Sequence, residues 1–364
     1  MKILTIETSC DETSFAIGEI GKDKAGVVDQ VILSQAAIHK KFGGVVPNLS
    51  AREHLKNFGP LLRQLLERNK LHLKEFDCVG FTRGPGLIPA LLVGSSIAKT
   101  LAYFFHKPLI PVSHLEAHIY SNWIAKNQTI RQKIEFPALN LVVSGGHTQL
   151  VLMKDHLCYK VLGETLDDAA GEAFDKVARM LNLGYPGGPV VSKRAQKGDE
   201  NKYNFPTPMI KSRDLNFSFS GLKTAVLYTV KNLDWTKISK AEKPTAINDI
   251  CASFQKSLVD CLIIKTQQAI KNHNPKTVLL CGGVAANEVL RKKFRLVVKN
   301  EKKVHIAEKK YCGDNAAMLI PVLFFKIKKF GLKNFKDSWK NLEPKADWEL
   351  SDKIKLESKC GKQM

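Results

Sequence analysis

Residues 2–20 read KILTIETSCDETSFAIGEI, and residues 136–154 read FPALNLVVSGGHTQLVLMK. Each is an apolar run, a short polar break and a second apolar run. In the first, 2–7 is predicted as a strand, residues 8–12 make the break, and 13–20 is predicted as a second strand. In the other, 136–143 and 148–154 are the strands, and Ser144-Gly145-Gly146-His147 is the tight turn between them. Apolar runs of this length between polar breaks predict antiparallel pairs. Residues 27–35 and 158–164 are predicted as the third strand of each meander. Further along each stretch, a strand runs through a glycine turn into a helix. The first such unit is 77–82, Arg83-Gly84-Pro85-Gly86 and 87–105; the second is 277–281, Gly282-Gly283 and 287–294. Matched units in matched order predict an internally duplicated α/β fold. The predicted halves are 1–135 and 136–329, followed by a Lys-rich tail at 330–364.

The remaining elements follow from periodicity and capping. A helix is predicted over 50–69, with Ser50 as cap, Glu53 in the capping-box position, and Leu55, Phe58, Leu61, Leu62, Leu65 and Leu66 at helical spacing. A strand is predicted at 109–112 with a helix starting near Ser113. Further helices are predicted at 168–181 and 314–328, and a strand at 304–307. The tail reads as a partly ordered, solvated appendage.

Composition narrows the function classes. At 364 residues, 44% hydrophobic and 25% charged, the chain matches an ordinary globular protein. It contains no run of about 18 apolar residues, so a transmembrane helix is excluded. No leader precedes the first strand, so a cytoplasmic location and no membrane partner are expected. The eight cysteines include no C-x-x-C pair and read as reduced thiols. The formal net charge is +21, which points to a polyanionic partner, nucleic acid first. Lys makes up 46 of the 56 basic residues, so compositional drift is the competing explanation.

Two similar halves leave a cleft lined by turns at strand ends. Glycine turns there let backbone N–H groups approach a phosphate. Four turns are candidates, 9–11, 84–86, 144–146 and 282–283, of which the last three contain glycine. The sharpest side-chain signal is His114-Leu115-Glu116-Ala117-His118. Histidines four apart share a helix face and can hold one metal ion. Glu116 lies about 200° away from His114 and does not join them. Asp314 is the candidate third ligand; its structural alternative is a helix N-cap. Glu7, Asp11 and Glu12 form an acidic cluster suited to Mg²⁺ or to general-base work. Asp175 is a candidate ribose contact. Asn287 reads either as a nucleotide contact or as a helix cap. P-loop, Rossmann and G-x-S-x-G signatures are absent.

These residues resemble one family. They include Glu7-Thr8-Ser9-Cys10-Asp11-Glu12-Thr13, Gly43-Gly44-Val45-Val46-Pro47, Gly84-Pro85-Gly86-Leu87 and His114-x-Glu116-x-His118. Val143-Ser144-Gly145-Gly146-His147-Thr148, the stretches 167–176, 185–189 and 217–223, and Gly282-Gly283-Val284-Ala285-Ala286-Asn287 complete the set. Together they resemble the TsaD family of tRNA N6-adenosine threonylcarbamoyltransferases, over about residues 2–328. The resemblance implies the duplicated actin/sugar-kinase-like (ASKHA) fold. It implies transfer of a threonylcarbamoyl group from threonylcarbamoyl-adenylate to N6 of the adenosine 3′ of the anticodon, in tRNAs reading codons that begin with A. It implies one Fe²⁺ or Zn²⁺ held by His114, His118 and Asp314, and an adenylate site of Val142, Val143, Ser144, Gly145, Gly146, Asp175, Gly188 and Asn287. Glu12 falls at the catalytic acidic position, and ATP with Mg²⁺ is a further expected occupant of the cleft. Implied partners are tRNA, a TsaB-like paralogue and a TsaE-like P-loop ATPase. A kinase or ATPase of the same fold is the rival reading. A metalloprotease is disfavoured by the placement of Glu116.

Overall fold

A computed structural model describes residues 1–21, 25–131, 134–210, 212–239, 241–298 and 302–350. The first sheet holds β1 (Lys2–Glu7), β2 (Glu12–Ile20), β3 (Ala25–Ser34), β4 (Cys78–Gly84) and β5 (Leu109–Ser113). Between them lie α1 (Ala36–His39), α2 (Pro47–Asn69) and α3 (Ile88–Phe104), and β5 runs directly into α4 (His114–Tyr120). The second sheet holds β6 (Ala138–Val143), β7 (Thr148–Asp155), β8 (Cys158–Glu164), β9 (Thr277–Cys281) and β10 (Lys303–Ile306). Its helices are α5 (Ala170–Met180), α6 (Gly187–Ala195), α7 (Ser220–Asn232), α8 (Lys243–His273) and α9 (Glu288–Val298); α10 (Leu319–Phe330) follows β10.

The strand order is β3-β2-β1-β4-β5 in one sheet and β8-β7-β6-β9-β10 in the other, the same order position for position. Each sheet is an antiparallel meander of three strands extended by two parallel ones. Ile6 pairs with Phe15 on one side of β1 and with Phe81 on the other; Leu141 pairs likewise with Leu150 and Leu280. The duplication expected from 2–20 and 136–154 is therefore present in the topology. Strands β6 and β9 are buried along their whole length, because helices cover both faces of the parallel part.

Three expectations change. Helix α2 begins at Pro47, not Ser50, since a proline suits the first helical position, where no N–H partner exists. Ser50 lies inside the helix and its hydroxyl donates to the Cys10 carbonyl, so there is no capping box. The helix expected from Asp314 starts later. Asn315 caps a 3-10 turn at Ala316–Met318, accepting the Met318 N–H at 3.0 Å, and α10 begins only at Leu319. The tail is anchored over its described part, although most of its residues stay at the surface. Phe335, Leu342 and Trp348 are buried, the Lys345 N–H donates to the Arg83 carbonyl at 2.9 Å, and the Gly86 N–H donates to Ala346 at 3.1 Å. The Arg83 guanidinium covers the Trp348 ring. Residues 351–364, with Cys360, lie outside the described residues.

The last helix does not stay with the second sheet. It crosses to the first and packs where side chains are missing: a β-carbon on Gly80 of β4 would fall 2.5 Å from Leu323, and one on Gly18 of β2 would fall 2.8 Å from Ile320. Hydrogen bonds fix the crossing. Thr5 Oγ1 donates to the Ala316 carbonyl at 2.8 Å, and the Ala316 N–H donates to Ser14 Oγ at 2.9 Å. A buried ion pair then ties α10 to α4, with Lys326 Nζ 2.9 Å from Glu116 Oε2. Lys326 also donates to the Pro111 carbonyl, and Tyr159 donates to the other Glu116 oxygen. Glu116 thus has its own structural partner, as its position off the His114 face foretells. Among the described residues, no helix is long and apolar enough to cross a membrane.

Breaking a buried pair costs more than the pair contributes, because the survivor keeps its charge without a partner. Lys326→Met is expected to destabilise the protein by about 3–5 kcal/mol in denaturant unfolding. The double variant Lys326→Met with Glu116→Gln is expected to lose less than the single one.

Candidate metal centre and substrate cleft

Helix α4 starts where β5 ends, so His114 is its first residue and His118 lies one turn on. Asp314 reaches them from the crossing segment between β10 and α10. The same oxygen, Asp314 Oδ1, lies 3.5 Å from His114 Nε2 and 3.2 Å from His118 Nε2. The three ligand atoms are all within 4.8 Å of one another. Metal–ligand bonds of about 2.0–2.2 Å require donors about 3–4 Å apart, so the set suits one ion. Two further observations support the fit. His118 is fully buried, yet neither ring nitrogen makes a hydrogen bond of good geometry. His114 is oriented from behind: its Nδ1 lies 3.3 Å from Glu7 Oε2 and 3.1 Å from Ser9 Oγ, which leaves Nε2 aimed at the ion position. Glu7 is itself held by the Ser9 N–H at 2.6 Å and the Thr82 hydroxyl at 2.5 Å. Two imidazoles and a carboxylate suit iron or zinc better than a hard, oxygen-seeking ion.

The charges around this point belong to one cleft. Burial alone would raise the Asp314 carboxyl, but the His114 and His118 rings hold it well below the usual range. Burial would depress His114, but Asp314 and Glu7 lift it to about 9. Burial, with His114 and His118 beside it, pushes His147 down to about 4. On the other side, burial and then the Asp314 and Asp11 carboxylates raise Glu12 well above its ordinary value. Ser34 Oγ donates to Glu12 Oε1 at 3.0 Å. Burial also raises Asp175 and Tyr185, and Asp11 adds to both. The 10–12 turn of the first half therefore faces Asp175 and Tyr185 of the second. Arg179 of α5 donates to the Gly43 carbonyl, which seats the 40–46 loop against the second half.

The expected adenylate residues take different places around the cleft. Gly145, Gly146 and Gly188 are open: an added β-carbon at any of them meets nothing within 4 Å. Ser144 is buried and its Oγ accepts the His147 N–H at 3.2 Å, shaping the turn. Its carbonyl and that of Gly145 accept N–H groups from the start of α5. Val142 and Val143 are fully buried in β6, so their side chains fill the core and their backbone leads into the turn that follows. Asp175 accepts the Gly187 N–H at 2.7 Å and so holds the start of α6. Asn287 is a cap: its Oδ1 accepts the Leu290 N–H at 3.0 Å, and its amide donates to Ser192 and Gln255. The 217–223 motif is docked by Asp167, which accepts the Phe219 N–H at 2.7 Å. Sequence reasoning missed Ser9, His147 and Tyr185. The signal available for His147 was its place in the turn that matches the acidic turn of the first half.

The sequence model of the TsaD family, described as tRNA N6-adenosine threonylcarbamoyltransferase, matches residues 26–320. The chain belongs to the TsaD family. Curated relatives carry the same description. One from Thermosipho africanus is 49% identical, over 92% of this chain and 96% of its own length. One from Persephonella marina is 44% identical, over 93% of this chain and 91% of its own. Among solved structures, full-length HypF superposes with a TM-score of 0.59 at 13% identity, covering 91% of this chain and 47% of HypF. That likeness concerns the fold, which is the duplicated ASKHA-like architecture. The described residues of this TsaD family member after 331 lie beyond the matched region and brace the 84–86 turn.

Residues 292–310 carry a run of basic side chains, much of it neutralised locally. Lys293 pairs with Asp260, Lys303 with Glu135 and Lys309 with Glu288, while Lys302 donates to Asn274. Lys292, Arg295 and Lys310 are exposed. Lys299 lies outside the described residues.

Metal content tests the centre. His114→Ala, His118→Ala and Asp314→Ala are each expected to lose most bound transition metal. Glu7→Gln, which only orients His114, is expected to weaken metal affinity by about 10–100-fold. Titration of chelator-stripped protein with Zn²⁺, followed by elemental analysis, reads both effects.

Proposed function

We propose that this chain transfers the threonylcarbamoyl group of threonylcarbamoyl-adenylate to N6 of the adenosine 3′ of the anticodon, in tRNAs reading codons that begin with A. The observation that carries the reading is the meeting of His114, His118 and Asp314 beside the raised Glu12 carboxyl, in a chain of the TsaD family. His114, His118 and Asp314 would hold Fe²⁺ or Zn²⁺, which when bound supplies Lewis-acid charge to an oxygen of the threonylcarbamoyl group. The open backbone at Gly145, Gly146 and Gly188 lets the phosphate approach closely. Asp175 and Asn287 hold the segments that frame the adenosine. Glu12 takes the proton from N6 as the new C–N bond forms; the bond from the carbamoyl carbon to the phosphate oxygen breaks and AMP leaves. A carboxylate raised above its ordinary range is the better proton acceptor for that step. The adenosine must be unpaired to reach the cleft, as in an anticodon loop.

The reading brings with it a TsaB-like paralogue, a TsaE-like ATPase, ATP with Mg²⁺ and a cytoplasmic setting. A kinase or ATPase of the same fold is not favoured, since paired imidazoles are poor ligands for Mg²⁺.

Nucleoside analysis of tRNA incubated with the chain, both partners, threonine, bicarbonate and ATP is the direct test. Threonylcarbamoyladenosine is the expected product; its absence while the partners make the adenylate overturns the reading. Glu12→Gln is expected to lower kcat by about 10²–10⁴-fold with metal content intact. A second measurement concerns charge. If Lys292, Arg295 and Lys310 contact phosphates, neutralising each lowers the slope of log affinity for tRNA against log salt by about 0.7–0.9. An unchanged slope assigns the positive charge to composition.

A further inference from the structure

Behind the acidic turn lies a group of polar side chains that no step above uses. Thr13, Gln35, His39, Ser50 and His54 are each at most 1% exposed. They come from β2, the start of α1, α1 itself and α2, and they form one connected network. His54 Nε2 lies 3.0 Å from the Cys10 carbonyl oxygen, which also receives the Ser50 hydroxyl. Thr13 Oγ1 lies 2.7 Å from His54 Nδ1. A carbonyl can only accept, so Nε2 carries the ring proton and donates to Cys10; Nδ1 of the neutral ring then accepts from Thr13. Burial holds His54 below its ordinary pKa, in keeping with a neutral ring. The Gln35 N–H donates to the Asp11 carbonyl at 2.9 Å, and its side-chain amide donates to the Ser50 carbonyl at 3.3 Å. Gln35 Oε1 accepts from His39 Nε2 at 3.0 Å, and His39 Nδ1 accepts the Val46 N–H at 3.3 Å.

Two consecutive carbonyls, Cys10 and Asp11, are thus gripped from α2 and from the start of α1. The peptide planes on either side of Asp11 cannot turn without leaving a buried donor or acceptor unpaired, which is costly. Those planes set the direction of the Asp11 and Glu12 side chains. A buried network of this size exceeds what capping the turn requires, and its far end reaches Val46, next to the loop that Arg179 draws onto the second half.

We propose that His54 is a positioning residue for the transfer reaction: through the Cys10 carbonyl it fixes the 10–12 turn so that the Glu12 carboxyl faces Asp314 across the cleft. The proposal rests on the functional reading above. His54 touches neither substrate nor metal ligand, and its effect passes entirely through backbone geometry. A misplacement of the order of 1 Å at a reacting group costs about 100-fold in rate.

The test compares His54→Leu with His54→Gln in the full chain with both partners. Turnover of preformed threonylcarbamoyl-adenylate on tRNA is followed alongside metal content and the melting temperature. His54→Leu is expected to lose about 100-fold in kcat with little change in the KM for adenylate and with full metal content. His54→Gln, whose amide can donate to the Cys10 carbonyl, is expected to recover most of that loss. A folded His54→Leu chain that turns over like the wild type overturns the proposal. So does an equal loss in both variants, which marks a merely structural role. If His54→Leu does not fold, Thr13→Val takes its place. It removes only the donor to Nδ1 and is expected to lower kcat about tenfold, and unchanged kcat overturns the proposal. A wild-type chain inactive in the same mixture overturns the functional reading and this proposal with it. An active wild type with an unaffected His54→Leu overturns this proposal alone.

Discussion

A single oxygen, Asp314 Oδ1, sits within reach of two imidazoles that arise about two hundred residues earlier in the chain. Most of the architecture serves that meeting. The imidazoles need a helix that begins where β5 stops, and the carboxylate needs the chain to leave the second sheet between β10 and α10. The departure is made possible by what is missing from the first sheet. Gly18 and Gly80 have no side chains where Ile320 and Leu323 must lie. It is then secured by hydroxyls, Thr5 and Ser14, that bind both sides of Ala316 two residues past the ligand. Each device shapes backbone position near Asp314 rather than its charge. The charge is balanced separately by His114 and His118, with Glu7 fixing the ring on the far side.

The cleft is electrostatically opposite to the chain as a whole. Asp11, Glu12, Asp175 and Asp314 act on one another in the interior of a chain whose formal net charge is +21. Burial first, and then mutual repulsion, raise Asp11, Glu12 and Asp175, while the two imidazoles leave Asp314 depressed. A metal ion and an adenylate would enter a site already short of positive charge at its centre.

The strands were legible because their signal is local. Apolar runs between glycine and polar breaks place β1, β8 and β9 to the residue, and the repeat of the pattern reveals the duplication. What escaped was decided at a distance. Ser50 and Glu53 have the local form of a capping box, yet the Ser50 hydroxyl is used by Cys10, forty residues away, and the helix starts at Pro47. Asn287 offered two readings that a sequence cannot separate. The structure assigns its amide to Ser192 and Gln255, which no spacing rule foretells. Phe335, Leu342 and Trp348 follow neither a helical nor a strand period, so a Lys-rich tail concealed a packed strap. His114, His118 and Asp314 were legible as candidate ligands by residue type, and their shared geometry came only from the crossing of α10.

That crossing also sets an order of events during synthesis. The first sheet is complete in sequence by Ser113, but the helix that fills the space over Gly18 and Gly80 begins only at Leu319. Until then the amino-terminal half carries an unfilled apolar face, and the lysine that will neutralise Glu116 has not yet been made. The amino-terminal half therefore completes its packing only once α10 has been made. Pairings this far apart along the chain are also the slow ones to form. A ribosome that terminates before α10 therefore releases an amino-terminal half without its last packing element.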